Sequence, residues 1–301
     1  MLLYCTSILS RLPLRVHYRI ADWILFPLIY YVLRYRRKIV DKNLCNSFPE
    51  KSEEERRQIR RAFYHEFCDI IVEIIYGYRL SAEEWKACME FRNMDEMNRL
   101  VDAAGGGIIM FSHMGNWEWL ASAQLWLSPD TTLVKVYREL KNKSFDQLML
   151  DIRKPFGGIY VEKRRVLREM VRFRSAGMKV LLGLNSDQKP RPEVTRTWVT
   201  FLHQETGFVD GGEVLARKYN VPVFFSYLIR DRRGHYISEL RLLSAHPQET
   251  EEGEITKAYA RELERNIKDH PELWLWSHNR WKWKREERKG KRGKGREEMV
   301  V

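Results

Sequence analysis

The sequence has few of the residues that build disulfide frameworks or zinc sites. Only four of its 301 residues are cysteine, and no two of them have Cys-x-x-Cys spacing. A disulfide-stapled scaffold and a cysteine-ligated zinc domain are therefore excluded, and a reducing compartment is favoured. The chain also lacks an internal repeat and a Gly-x-Ser-x-Gly motif. These absences exclude a repeat architecture and the serine nucleophile elbow of the α/β-hydrolases.

The sequence also has no apolar run of the usual membrane-spanning length. The run Trp23–Leu33 has eleven residues, or about 16 Å of helix, whereas a span needs about 20 residues. Basic residues flank it at Arg19 and at positions 34–38, and no small-residue cleavage site follows it. We therefore expect residues 1–40 to stay on the mature protein as a membrane anchor or interfacial helix. The alternative is a buried core helix with a basic flank.

Basic and acidic residues nearly balance in the body of the chain, so the excess of positive charge lies at its two ends. The net charge is +12, but residues 1–50 carry eight Lys or Arg against three acids, and residues 280–301 carry ten against four. Each basic side chain near an anionic leaflet is worth about 1 kcal/mol, so the two ends favour a membrane surface, and no nucleic-acid partner is expected. We predict that residues 285–301 form a basic, disordered tail.

Capping signals and hydrophobic periodicity predict helices in the first third of the chain. Ser52 with Glu55 and Ser81 with Glu84 have capping-box spacing. Apolar residues recur every three or four positions after Ser52, which predicts a long amphipathic helix to about Tyr78. A shorter helix is predicted after Ser81.

From about residue 100, short apolar runs alternate with helical stretches, as in an α/β sheet. The predicted strands are 108–111, 132–137, 158–161, 179–184, 198–202, 221–230 and 235–243, and the predicted helices are 118–127, 143–155, 164–175, 212–219 and 254–268. The last two strands have a hairpin connection. We therefore predict an α/β domain over residues 41–284, with a mixed central sheet flanked by helices, preceded by the membrane-associated segment.

Three histidines are followed by an acid five residues later, which is close to chance for this composition. The pairs are His17/Asp22, His113/Glu118 and His246/Glu251. Only His113 follows a predicted strand, at the carboxyl end where α/β sheets present ligands. A separation of five residues is about 140° around a helix, so His113 and Glu118 must straddle a turn to meet. Gly115 and Asn116 suit such a turn.

In that geometry the carboxylate of Glu118 holds one imidazole nitrogen and leaves the other free to take a proton. The alternative is a structural loop histidine beside an acid at a helix N-terminus.

Five segments in order resemble the bacterial lipid A biosynthesis acyltransferases, the late acyltransferases of the lauroyl and myristoyl type, within the wider lysophospholipid acyltransferase-like superfamily. The segments are Lys42–Glu50, Ser112–Glu118, Val136–Asn142, Asn185–Gln188 and His270–Lys282. The resemblance covers roughly residues 40–284 and implies a glycerolipid acyltransferase-like fold. The short anchor and the long basic tail depart from the family pattern.

The resemblance implies that His113 is the general base and Glu118 its partner, acting on a hydroxyl of an acceptor lipid. The hydroxyl would attack the thioester of an acyl carrier protein, or alternatively of acyl-coenzyme A, with no bound cofactor or metal. The acceptor would be a lipid A precursor at the cytoplasmic face of the bacterial inner membrane.

The same resemblance implies that further residues contribute to the site around His113 and Glu118. Arg138, Asp187, Gln188 and Asn116 are expected to bind substrate or the transition state, with a surface arginine as the alternative at Arg138. The basic run Lys163, Arg164 and Arg165 would meet lipid phosphate or the carrier protein, or would be a solvated helix face. His270 and Pro271 open a predicted helix, and Trp274, Trp276, Trp281 and Trp283 behind it have the composition of a membrane interface.

Two rival functions remain open at the level of sequence. One is O-acylation of another lipid, such as a lysophospholipid or an amino-acid lipid, on the same fold. The other is a non-catalytic membrane- or nucleic-acid-binding protein in which His113 and Glu118 are structural. Binding to nucleic acid would fall steeply with salt, whereas apolar insertion would persist.

Overall fold

The computed structural model describes residue 6 and residues 8–139, 142–153, 157–191, 195–283 and 285. Residues 140–141 and residues 286–301 of the predicted basic tail lie outside these ranges. The described residues form a central mixed sheet with helices on both sides and a helical N-terminal part, which confirms the predicted α/β class.

Strands and helices alternate through most of the chain. The strands are β1 (Met89–Arg92), β2 (Gly106–Phe111), β3 (Thr131–Tyr137), β4 (Ile159–Glu162), β5 (Lys179–Asn185), β6 (Thr197–Phe201), β7 (Gln204–Phe208), β8 (Val223–Arg232) and β9 (His235–Ser244). The helices are α1 (Leu14–Ile20), α2 (Arg37–Ser47), α3 (Glu53–Gly77), α4 (Ala82–Cys88), α5 (Met94–Ala104), α6 (Lys143–Arg153), α7 (Val166–Ser175), α8 (Gly211–Tyr219) and α9 (Glu254–Asp269).

The central sheet has seven strands in the order β1-β9-β8-β2-β5-β3-β4. Strands β8 and β9 pair antiparallel, as the hairpin connection predicts, and the other neighbouring pairs are parallel. Every residue of β2 is buried, as expected for a central strand covered on both faces. Because β2, β5, β3 and β4 are parallel, the residues that follow them collect at one edge of the sheet.

Both capping boxes form as predicted. The hydroxyl of Ser52 accepts from the amide of Glu55, whose carboxylate accepts from the amide of Ser52, and Ser81 and Glu84 do the same. Helix α3 therefore begins at Glu53 and runs for 25 residues, and α4 begins at Ala82.

Some elements differ from the sequence prediction. The strand near residue 198 is β6, which pairs with β7 in a separate two-stranded sheet. The predicted helix over 118–127 is a 3-10 helix, Trp119–Trp126, and the helix predicted to open at His270 is a single 3-10 turn, Pro271–Leu273. Strand β1 was not predicted, because its four residues are too few to establish a period.

The N-terminal segment has two faces. It continues from α1 through two π-helical stretches, Ala21–Leu25 and Pro27–Val32. Ala21, Phe26 and Tyr30 are buried in the core, whereas Trp23 is 80% exposed and Val32 71% exposed. One face of the apolar run therefore packs on the protein and the other is left uncovered. Within the described part of the chain, no helix is long and apolar enough to cross a bilayer.

Candidate active site

His113 lies just after the carboxyl end of β2, at the edge where the parallel strands end. Asp187 and Gln188 follow β5, which is the neighbour of β2 in the sheet. The amide of Ser186 donates to the carbonyl of Phe111 at 3.1 Å and so extends this pairing by one step. The strand order therefore brings together residues that are 74 positions apart in sequence.

Asp187 holds His113 at two points. Its Oδ1 lies 2.6 Å from the ring Nδ1, and its Oδ2 accepts the backbone amide of His113 at 2.9 Å. Oδ2 also accepts the indole N–H of Trp274 at 3.0 Å. Asp187 is 3% exposed, so a carboxylate that is nearly dry is satisfied by three donors. Burial would raise the pKa of Asp187, but the charge and hydrogen bonds of His113 lower it to about 2.

This arrangement sets the protonation of the imidazole ring. A carboxylate only accepts hydrogen bonds, so the neutral ring carries its proton on Nδ1 and its lone pair on Nε2. The amide nitrogen of Gln188 lies 3.1 Å from Nε2 and donates to that lone pair. The ring thus presents a basic nitrogen at a position where a hydroxyl group could replace Gln188.

The charges around His113 favour its protonated form. Burial alone would lower the pKa of the ring, but the charge of Asp187 and its hydrogen bond outweigh burial, and the charge of Glu118 adds to the rise. The pKa of His113 therefore lies above its ordinary value. Lys135, a buried lysine on β3, opposes this rise.

Glu118 does not occupy the place that its sequence spacing predicts on Nδ1, since Asp187 has that place. Glu118 is half-buried and precedes the 3-10 helix that begins at Trp119. It acts on His113 through its charge. Its role as the partner of the base stays a prediction.

Residues 113–118, which we call the catalytic turn, are held from two sides. On one side the amide of Gly115 donates to the carbonyl of Leu273 at 2.8 Å, and the amide of Leu275 donates to the carbonyl of His113 at 3.1 Å. On the other side the side-chain NH₂ group of Asn116 donates to Glu73 Oε2 at 3.0 Å. Asn116 is fully buried and its side chain joins the turn to helix α3. Its contact with substrate or the transition state stays a prediction.

Gly115 is the position in the turn that tolerates no side chain. Its φ is +45°, and a Cβ atom there would lie 2.8 Å from the ring of Tyr236. Only glycine combines this left-handed backbone with so close an approach at no steric cost.

Two tryptophans of the segment His270–Lys282 do not form the membrane interface that their composition predicts. Trp274 and Trp276 are 2% and 0% exposed, so they belong to the core and not to a membrane interface. Trp274 bonds Asp187, and Trp276 donates to the carbonyl of Pro271. Tryptophan beside basic residues has the same composition in both settings, and only packing separates them. The contact of Trp274 with Asp187 was therefore missed.

A cationic cluster lies further along the same edge. Arg138 follows β3 and Lys163 follows β4, directly after the paired residues Tyr137 and Glu162. Lys163, Arg164 and Arg165 form an exposed 3-10 turn. Loss of solvation and the charges of Arg138 and Arg191 lower the pKa of Lys163. Strands are about 4.8 Å apart, so β3, which Arg138 follows, lies two strand spacings or about 10 Å from β2.

His278 is a second histidine close to the site that sequence reasoning missed. Burial is the main cause that lowers its pKa to about 4, and the charges of Lys189, Arg280 and His113 add to it. His278 is therefore neutral at neutral pH. Within the described ranges, no group of three His, Cys, Asp or Glu side chains is placed to hold a metal ion.

The chain matches a model of a known protein family. The family model described as "Bacterial lipid A biosynthesis acyltransferase" matches residues 3–283, nearly the whole chain. No curated protein sequence matches the chain at a significant level.

Proposed function

We propose, since this chain belongs to the bacterial lipid A biosynthesis acyltransferase family, that it transfers a fatty acyl group from acyl carrier protein to a hydroxyl of a lipid A precursor. The family match by itself supports acyl transfer of the kind used in lipid A biosynthesis and nothing more specific. The donor, the acceptor and the residue roles are our proposal. The observation that carries it is the contact of His113 with Asp187, which leaves Nε2 basic and close to the surface.

His113 acts as the general base of the reaction. The acceptor hydroxyl displaces the Gln188 amide from Nε2 and gives its proton to that nitrogen as its oxygen attacks the thioester carbonyl. A new C–O bond forms, and the carbonyl oxygen becomes an oxyanion. When the tetrahedral intermediate collapses, the C–S bond breaks and the leaving thiolate takes the proton from the imidazolium. The products are an ester and a free thiol, with no covalent enzyme intermediate.

Asp187 and Glu118 stabilise the imidazolium that forms during this transfer. Asp187 fixes the tautomer and the ring orientation through its bond to Nδ1, and Glu118 contributes a second negative charge. Fixed charges in a site that excludes water are worth more than in bulk solvent. The raised pKa of His113 agrees with this role.

The cluster of Arg138, Lys163 and Arg191 holds an anionic part of a substrate. Loss of solvation is the largest cause of the lowered pKa of Lys163, and the charges of Arg138 and Arg191 add to it. An anion placed among these three cations is therefore stabilised. A phosphate group about 10 Å from the reacting hydroxyl fits the strand spacing between His113 and Arg138. Arg164 and Arg165 extend the same exposed turn toward a phosphate or an acidic carrier protein.

The uncovered face of the N-terminal segment seats the enzyme on the cytoplasmic face of the inner membrane. Trp23, Ile24, Val32 and Leu33 are exposed while Phe26 on the opposite face is buried. Arginines at positions 34 and 36 follow this face directly and are exposed. An apolar face beside cations is the composition of an interfacial helix on anionic lipid.

Acyl transfer by the purified protein on anionic vesicles tests this function. The donor is acyl carrier protein loaded with a fatty acid, compared with acyl-coenzyme A, and lipid A precursor competes with lysophospholipid and an amino-acid lipid as acceptor. Mass spectrometry should find the added acyl group on the lipid A precursor, with the carrier protein as the better donor. If only a competing lipid were acylated, the lipid A precursor would be ruled out as the acceptor. If no lipid were acylated, the proposed acyltransferase activity would be refuted.

A further inference from the structure

We propose that Glu73 is a positioning residue for the catalytic turn, and that the hydrogen-bonded chain Tyr18–Glu73–Asn116 makes the N-terminal segment part of the catalytic unit. This inference rests on the proposed function of His113. It concerns a residue near the C-terminal end of helix α3 that lies outside every sequence motif noted above.

Glu73 is fully buried and makes three side-chain hydrogen bonds. Its Oε1 accepts the hydroxyl of Tyr18 at 2.8 Å, from helix α1. Its Oε2 accepts the amide of Asn116 at 3.0 Å, from the catalytic turn, and the hydroxyl of Tyr236 at 2.9 Å, from β9. One carboxyl group thus joins the N-terminal segment, the sheet and the turn that carries His113.

The surroundings of Glu73 raise the pKa of its carboxyl group. Burial is the largest cause that raises its pKa, and the charge of Asp69 adds to it, while the bonds from Tyr18, Asn116 and Tyr236 oppose the rise. Glu66 faces the same Tyr236 hydroxyl from helix α3 and is paired with Arg230. A glutamine at position 73 keeps the shape of the side chain, and its oxygen can accept from Asn116 and Tyr236 while its NH₂ group donates to the hydroxyl oxygen of Tyr18.

Removing the carboxyl group of Glu73 should change the position of His113. The Asn116 side chain is fully buried and its Oδ1 has no hydrogen-bond partner among the described residues, so Glu73 is the acceptor that fixes its amide. The neighbouring Gly115 packs directly on the ring of Tyr236. A turn freed from Glu73 can shift His113 relative to Asp187, and a displacement of about 1 Å in a reacting group can cost about 10²-fold in rate.

The N-terminal segment is fixed to the same region by a second contact. Arg233, in the β8–β9 connection, donates to both oxygens of Asp22 at 2.7 and 2.8 Å and also to Asp69 on α3. Tyr18 is therefore held over Glu73 by a segment with two anchoring points. The histidine–acid pair His17/Asp22, a chance match to the motif, lies in this structural region.

Three variants test the proposal by kcat and KM, measured per folded protein. Glu73→Leu should reduce kcat by roughly 10²-fold with little change in the KM for the donor, and Glu73→Gln should restore most of it. The matched control is Glu213→Leu, which removes a buried carboxyl that binds the first turn of α9. It should lower the melting temperature and leave kcat nearly unchanged. Equal kcat in Glu73→Leu and Glu213→Leu would overturn the proposal.

A milder variant keeps the test valid if Glu73→Leu does not fold. Tyr18→Phe removes one oxygen atom and should lower kcat about five- to tenfold, an intermediate effect expected because Asn116 keeps its bond to Glu73. Tyr227→Phe is its control, because that hydroxyl also bonds a carboxylate, Asp269, on another part of the protein. Full activity of Tyr18→Phe would overturn the coupling to the N-terminal segment.

A measurement without substrate separates this proposal from the proposed function. The nitrogen NMR signals of His113 report its tautomer and pKa. In Glu73→Leu or Tyr18→Phe the pKa of His113 should fall toward its ordinary value as the ring loses register with Asp187, and in Glu73→Gln it should not. An unchanged His113 pKa in all three variants would overturn the positioning role, whether or not the wild-type protein transfers acyl groups.

Discussion

Replacing Asp187 by asparagine should reverse the tautomer of His113. In the wild-type site, Oδ2 of Asp187 accepts two N–H donors, the amide of His113 and the indole of Trp274, while Oδ1 faces Nδ1. An asparagine side chain has one oxygen, and the two donors require it at the Oδ2 position. Its NH₂ group then faces Nδ1, which must accept. The ring proton moves to Nε2, which can no longer take a proton from the acceptor hydroxyl.

The size of the effect follows from what the base contributes. A positioned general base is worth about 10² to 10⁴ in rate, and holding it in the wrong tautomer forfeits most of that. We therefore expect Asp187→Asn to lower kcat by about 10² to 10⁴ in a protein that still folds. The side chain keeps its shape, so burial around it changes little.

The pH dependence of activity provides a second test of Asp187→Asn. The wild-type base must be neutral, so activity is lost as the pH falls through the pKa of His113, which is raised mainly because Asp187 outweighs burial. In Asp187→Asn, burial remains and the charge is gone, so the pKa falls and the acid limb of the kcat/KM profile moves to lower pH. The assay is acyl transfer followed by mass spectrometry between pH 5 and 9.

Glu118→Gln is the comparison that makes this test decisive. It removes a charge that also raises the pKa of His113 but leaves the bond of Asp187 to Nδ1 in place. We expect a smaller loss of rate and a smaller shift of the limb in the same direction. If Glu118→Gln loses more activity than Asp187→Asn, or if Asp187→Asn keeps the wild-type profile, the partner of the base is Glu118 as the sequence predicts, and the present account of the site is wrong.

Three further predictions follow from other parts of the structure. Arg138→Ala should lower turnover by about 10²- to 10³-fold, and Arg138→Lys should restore only part of it, because a point charge does not reproduce a bidentate fork; full activity in either variant makes Arg138 a surface residue. Exchanging the exposed Trp23 and Val32 for serine should abolish sedimentation with anionic vesicles in high salt without changing the melting temperature, whereas unchanged sedimentation refutes the interfacial role of this face. Gly115→Ala should destabilise the fold by about 1–3 kcal/mol, because it places a Cβ against Tyr236 at positive φ, and a wild-type unfolding curve would contradict this.

Sequence predicts the parts of this molecule that depend on local rules. The start of α3 follows from Ser52 and Glu55 because a capping box needs only residues three apart. Strand β2 follows from its short apolar run, and the position of His113 follows from the end of that strand. These features need no knowledge of distant contacts.

The partner of His113 depends instead on strand order. Asp187 meets the ring only because β5 lies beside β2, although β3 and β4 intervene in the chain. That order is decided by packing over the whole domain, and no spacing in the sequence encodes it. The spacing of Glu118 is visible in the sequence, so the sequence predicts it as the partner of His113, whereas the contact on Nδ1 in the structure comes from a carboxylate 74 residues away.

The other differences between the sequence predictions and the structure depend on which side chains are buried. The sequence shows Trp274 and Trp276 among basic residues, and only the folded chain places both in the core. The apolar run of residues 23–33 is neither all buried nor all exposed, because its two faces meet different surroundings. Glu73 gives no signal at all, since a glutamate on an amphipathic helix is ordinarily solvated.

Acyl transfer by His113→Ala tests the central claim most directly. In the proposed mechanism His113, held by Asp187, accepts the proton of the attacking hydroxyl. His113→Ala should therefore lower turnover on anionic vesicles by about 10²- to 10⁴-fold. Adding Asp187→Asn to it should make little further difference, because the two residues act as one unit. His246→Ala, which removes a histidine with the same spacing to an acid, should leave turnover nearly intact. A folded His113→Ala protein that transfers acyl groups at the wild-type rate would contradict the account.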